Sequence, residues 1–171
     1  LPTREEDGFR LRAKALEAAV TPNTKGLILN YPCNPTGAAY SREDLEAIAD
    51  VCVREDLWVL SDEIYERLLY DGARVVSIAS LGEKIKKRAL VVNGFSKAFS
   101  MTGWRLGYAA GPREVIQACA KIQSHNTSNA TSFVQKAGIV ALSSCGMEVE
   151  RMKQEFERRR NAIVYRLRSM P

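Results

Sequence analysis

Histidine is nearly missing from this sequence: His125 is the only one in 171 residues. A conventional Ser-His-Asp triad and most transition-metal sites depend on imidazole, so neither chemistry fits well. Cysteine is sparse too. Cys33, Cys52, Cys119 and Cys145 show no C-x-x-C spacing and three of them sit in apolar helical patterns, which predicts reduced thiols rather than disulfides or zinc ligands. No apolar run approaches the ~20 residues that cross a bilayer, and the polar start Leu1-Pro2-Thr3-Arg4-Glu5-Glu6 is no signal peptide. Aromatic residues do not interleave with the basic clusters at Lys84, Lys86, Lys87, Arg88 and at Arg158, Arg159, Arg160. Both clusters therefore read as solvated faces rather than nucleic-acid contacts. Internal repeats, low-complexity segments and linkers are absent as well.

What remains has the balance of a globular domain with a real core: 46% apolar and 26% charged residues, with 25 basic against 20 acidic side chains for a net charge of +5. There is no starting Met, and Pro171 follows directly on a helical pattern, so a piece of a longer protein is expected, and the reduced thiols point to a cytoplasmic one.

Periodicity predicts a helix over 9–20, then a short apolar strand at Gly26-Leu27-Ile28-Leu29-Asn30. Ser41 with Asp44 three residues on forms a capping box that opens a helix, with Leu45, Ile48, Ala49, Cys52 and Val53 on its inner face. Leu57-Trp58-Val59-Leu60 and Ala89-Leu90-Val91-Val92 read as further buried strands. The interval from Gly94 to Trp104 is too short for a helical crossover, so the next strand, Arg105 to Ala110, should run antiparallel to its neighbour. Gly111-Pro112 starts another helix, with Val115, Ile116, Cys119 and Ile122 on one face, and two more follow over 131–144 and about 147–169. The expected class is α/β, a mostly parallel, doubly covered sheet with one antiparallel strand.

In such a sheet ligands bind at the carboxyl ends of the strands. Each buried strand here is followed at once by polar residues: Asn34-Pro35-Thr36-Gly37, Asp62-Glu63-Ile64-Tyr65 and Gly94-Phe95-Ser96-Lys97, with Arg105 opening the returning strand. Taken singly, each has an ordinary reading as a turn residue, a half-buried aromatic or a solvated cation. Together they would bring an amide, a carboxylate, a phenol, an amine and a guanidinium to one edge.

The stretch Asn93-Gly94-Phe95-Ser96-Lys97-Ala98-Phe99-Ser100-Met101-Thr102-Gly103-Trp104-Arg105-Leu106-Gly107-Tyr108 resembles the cofactor-lysine segment of class I and II aminotransferases. These are pyridoxal 5'-phosphate (PLP) enzymes of the aspartate aminotransferase fold, fold type I. Asn34-Pro35-Thr36-Gly37 and Asp62-Glu63-Ile64-Tyr65 are similar to two further signatures of that family, in the right order. The resemblance extends over essentially the whole chain, and its nearest branch is the bacterial and plant aspartate/prephenate aminotransferases.

The resemblance implies a three-layer large domain truncated at both ends: residues 1–146 would be its central part and 147–171 a long helix leading toward a small domain. It makes Lys97 the Schiff-base lysine and proton shuttle, Asp62 the partner of the pyridine nitrogen, Asn34 and Tyr65 donors to the phenolic oxygen, and Arg105 the phosphate clamp, with Ser96 as a further hydroxyl. Catalysis would fall to Lys97, Asp62 and Tyr65. Gly94 departs from the family pattern, which often has a hydroxyl residue three positions before the lysine. A Gly-rich phosphate-binding helix start and a stacking aromatic are expected upstream of Leu1, and a substrate-carboxylate arginine downstream of Pro171. The expected function is amino transfer between an amino acid, with aspartate a candidate, and a 2-oxo acid, in a homodimer without metal, membrane or nucleic-acid partners. A carbon–sulfur β-lyase and a PLP- or ligand-sensing domain of a regulator are the alternatives.

Overall fold

The computed structural model describes residues 1–170; Pro171, the end of the expected C-terminal segment, lies outside them. Four strands form one sheet in the order β1 (Gly26–Asn30), β2 (Trp58–Asp62), β3 (Ala89–Gly94) and β4 (Gly107–Ala110). The first three are parallel and β4 runs antiparallel to β3, as the short interval before it requires. Among the described residues six α-helices accompany them: α1 (Ala13–Ala19), α2 (Arg42–Arg54), α3 (Glu83–Lys86), α4 (Arg113–Asn126), α5 (Ser132–Ser144) and α6 (Gly146–Arg168).

Helix α2 starts where its sequence says it should. Ser41 Oγ accepts the Asp44 N–H at 3.1 Å while Asp44 Oδ2 accepts the Ser41 N–H at 3.4 Å, so two otherwise orphaned donors are satisfied. Leu45, Ile48 and Cys52 on its inner face are fully buried in one cluster with Leu27, Leu29 and Val59 of the sheet, Tyr31 just past β1, and Leu16 of α1. Each such aliphatic side chain contributes about 1.5–3 kcal/mol. Val53 is only partly buried, and Val51 takes a place in the core instead.

Three expectations are corrected. The first helix does not begin at residue 9: Gly8 and Phe9 both have positive φ, 61° and 57°, which interrupts the helical path and delays α1 to Ala13. Arg105 is not part of β4, because its own left-handed backbone (φ 54°) puts it in the turn before the strand. Lastly, β1 and β2 are buried on one side only, and β4 is exposed at every residue. Leu27 and Leu29 point into the core while Ile28 between them is 76% exposed, and Trp58 of β2 is 46% exposed. The alternation follows from the pleat, and the residues described here cover one face of the sheet. A smaller apolar cluster, Phe95, Met101 and Ala141 with Phe99, Leu106 and Ala137 around it, joins the segment after β3 to α5. Helix α4 fully buries none of its residues: of the apolar face expected there, Val115 and Ile116 are half-buried while Cys119 and Ile122 are exposed, Ile122 by 69%.

Candidate active site

Parallel register brings the strand ends level. Asn30 pairs with Asp62 and Asp62 with Val92, so the loops after β1, β2 and β3 leave the sheet at one edge. Antiparallel β4 enters there too, Gly107 opposite Gly94. At this edge Asn34 Nδ2 donates to the Tyr65 hydroxyl at 3.3 Å, and Lys97 Nζ lies 5.5 Å from the centre of the Tyr65 ring, a cation–π distance. Asp62 is half-buried at the tip of β2, and its Oδ1 accepts the Ile64 N–H at 3.2 Å. Among the described residues no other hydrogen bond engages that carboxylate, so an oxygen is left for a further partner.

Asn30 was not singled out by the sequence reading, yet it ties two of these residues together. Its Nδ2 donates to the Asp62 carbonyl at 3.3 Å and its Oδ1 accepts the Asn34 N–H at 3.3 Å. The available signal was its place as the last residue of the strand just before the Asn34 loop.

Lys97 is half-buried in a turn whose neighbours Phe95 and Ala98 are buried. Phe95 O accepts the Phe99 and Met101 N–H groups, both at 3.3 Å, and Lys97 O accepts the Ser100 N–H at 3.3 Å. The buried apolar side chains anchor the turn, and the Lys97 amine stands over the Tyr65 ring. A Cβ on Gly94 would lie 3.0 Å from Leu106 O and 3.1 Å from the Gly107 Cα, so glycine lets β3 and β4 approach closely at this point. Ser96 is half-buried in the same turn.

Arg105 is exposed at this end of the sheet and donates through one guanidinium nitrogen to Thr102 O at 2.8 Å. Among the described residues it makes no hydrogen bond to Asn34, Asp62, Tyr65 or Lys97. It lines a concavity of about 770 Å³ with Ser100, Trp104, Gln123, Thr127 and Phe133, beside the other four residues rather than among them.

Behind this edge is a buried polar group. Glu63 is 2% exposed, and its Oε1 accepts from Ser61 Oγ (2.8 Å), Ser77 Oγ (2.8 Å) and the Tyr31 hydroxyl (3.2 Å). Burial pushes the Glu63 carboxyl up from the usual range; the three hydroxyls pull against that shift and nearby Glu66 adds to it.

The loop beyond Tyr65 is fastened to α6. Arg160 grips Asp71 with two hydrogen bonds, 2.7 and 2.8 Å, and the Asp71 N–H donates to Glu157 at 2.7 Å. The guanidinium also lies 5.0 Å from the centre of the Tyr70 ring. The bond from Arg160 holds the Asp71 carboxyl below the usual range. Arg158 and Arg159 pair with Glu155 on their own helix. The basic run is thus a solvated face for two of its members and a tether for the third, and no pattern in the sequence announces a pairing across 89 positions.

The sequence matches the family profile for aminotransferase class I and II over residues 1–170. It is 47% identical to the aspartate aminotransferase of Geobacillus stearothermophilus, over 98% of this chain and 42% of that protein. It is also 47% identical to aromatic-amino-acid aminotransferase 2 of Thermococcus litoralis, over 99% of this chain and 44% of that one. The fold superposes on the crystal structure of the aspartate aminotransferase from Rhizobium meliloti with a TM-score of 0.96 and 45% identity, covering 99% of this chain and 43% of the other. The chain spans less than half the length of these relatives.

Proposed function

This chain belongs to the class I and II aminotransferase family, and we propose on that footing that the whole protein is a PLP-dependent aminotransferase. It would move an amino group between an amino acid and a 2-oxo acid, aspartate being one donor to expect from the names of its relatives. The observation that carries the proposal is the line from Asn34 through Tyr65 to Lys97 beside the tip of β2, where Asp62 stands.

The donor set fits the cofactor. Bound here, PLP supplies an electron-accepting pyridine ring and an aldehyde that reacts with amines. Lys97 is the amine that would hold it covalently and, once displaced, take up and return a proton at Nζ. The free oxygen of Asp62 would hold a proton at the ring nitrogen through a charge-assisted bond. Asn34 Nδ2 and the Tyr65 hydroxyl, already 3.3 Å apart, would both donate to the phenolic oxygen. Arg105 would present its planar fork to the phosphate from the edge of the neighbouring concavity. Residues 1–146 would then be the central part of the cofactor-binding large domain, and 147–171 the helix leading toward a small domain. The full protein would work as a cytoplasmic homodimer; in the described residues no helix is long and apolar enough to cross a membrane.

Borohydride reduction of the full-length protein with PLP, followed by peptide mapping, tests the central assignment. The label is expected on Lys97, and a label on another lysine would overturn it. Transamination measured over aspartate, asparagine and aromatic donors with 2-oxoglutarate then defines the substrate class.

A further inference from the structure

Successive strand residues point to opposite faces, so Glu63 projects away from the face that carries Asp62. Its polar cluster takes no part in the chemistry proposed above. It does join three segments. Tyr31 comes from the end of β1, three residues before Asn34; Ser61 and Glu63 flank Asp62, with Tyr65 two residues on; Ser77 and Ile78 come from the connection to β3. The Tyr31 hydroxyl also accepts the Ile78 N–H at 2.8 Å and lies 3.1 Å from Val76 O. Backbone bonds reinforce the junction: Tyr31 N–H to Asp62 O at 3.1 Å, and Glu63 N–H to Val92 O at 2.9 Å.

We propose that Glu63 is a positioning residue, the hub that fixes the loops bearing Asn34, Asp62 and Tyr65 relative to one another and so sets the cofactor-binding geometry. This rests on the reading of the site given above. Three hydroxyls converge on one buried oxygen, Glu63 Oε1; its loss leaves the Ser61 and Ser77 hydroxyls without that acceptor and turns the Tyr31 hydroxyl toward Val76 O alone. The junction between the Ser61 and Ser77 segments then loses its shared acceptor, and the segments freed to shift adjoin those that carry the site. Among the described residues no Lys or Arg forms an ion pair with Glu63, so the cluster is built around an acceptor oxygen rather than a charge pair. An amide retains that oxygen; a methyl group does not.

The test uses the full-length protein and three measurements: PLP affinity of the apo form by titration, the absorption spectrum of the bound cofactor, and the melting temperature of the apo form. Glu63→Ala is expected to weaken PLP binding by about tenfold or more and to shift the bound spectrum, while Glu63→Gln stays within about threefold of wild type with an unchanged spectrum. A Glu63→Ala protein that melts earlier but binds PLP with wild-type affinity and spectrum would overturn the proposal, since its role would then be stability alone. Equal losses in the Gln and Ala variants would overturn it too, by making the charge the essential element. If the Ala variant does not fold, Ser77→Ala decides: the loss of one donor at the half-buried rim should weaken PLP binding by clearly more than about threefold, and affinity within that range of wild type would refute the hub. Wild-type protein that takes up no PLP on Lys97 would instead sink the reading of the site, and this inference with it.

Discussion

Asp62 shows how a residue can be held in place without being used up. Its backbone is locked by Asn30 and by strand pairing, one carboxylate oxygen accepts the Ile64 N–H, and no other hydrogen bond among the described residues engages the carboxylate. In the proposed role, a charge-assisted bond from there to a ring nitrogen would be worth roughly 1.5–3 kcal/mol, and its electronic effect on the reacting carbon would come on top. Asp62→Asn in the full-length protein should therefore lower kcat far more than cofactor occupancy. Equal losses in turnover and in PLP retained after dialysis would count against this role. The cysteines give a second test at this scale. Cys52 is fully buried in α2, and burial pushes its thiol up to about 11, whereas Cys119 is exposed on α4. Alkylation of the 171-residue chain at pH 8 should modify Cys119 readily and Cys52 only after denaturation. Mass mapping that found Cys52 modified as fast as Cys119 would contradict the packing around α2.

Among the elements, α2 carries its instructions locally and the strands do not. Ser41→Ala should cost about 1 kcal/mol in urea denaturation, the usual worth of an N-cap. Asp44→Ala should cost more, because Asp44 also receives Arg10 at 2.9 Å and Arg12 at 3.3 Å; an Ala variant at 44 as mild as the one at 41 would mean those ion pairs contribute nothing. That helix was legible because a capping box and a 3.6-residue apolar rhythm are both short-range signals. The antiparallel turn of β4 was legible too, from chain length alone. The start of α1 was not, since the apolar rhythm from Phe9 gives no hint that Gly8 and Phe9 adopt left-handed conformations. Nor was the one-sided burial of β1, because a run such as Leu27-Ile28-Leu29 records that a strand is apolar on both faces and not which residues cover each face. The site itself divides in the same way. Asn34, Tyr65 and Lys97 follow strands and Asp62 ends one, so their common edge was readable from position. Asn30, the Glu63 cluster and the Asp71–Arg160 tether depend on contacts that only the folded chain creates.

For the molecule as a whole, the exposed apolar side chains are the main fact. Ile28 and Trp58 on the sheet, Ile122 on α4, Phe133 and Leu142 on α5, and Ile163 and Leu167 on α6 all stand open in the 171-residue chain. Apolar area on this scale favours association over a dispersed monomer. Sedimentation of this chain alone should show self-association that weakens in dilute urea before unfolding, and a clean monomer at high concentration would be the contrary result. The tether from Asp71 to Arg160 gives the long C-terminal helix a further significance. Arg160 lies ~21 Å along α6 from Gly146 and ~12 Å short of Arg168, at 1.5 Å per residue. Anything attached past Arg168 that swings α6 by ~5° about its first turn carries that guanidinium by ~2 Å, more than a two-pronged hydrogen bond tolerates. The helix is in effect a crank whose throw reaches the loop six residues beyond Tyr65, so this loop either travels with the crank or lets go of it.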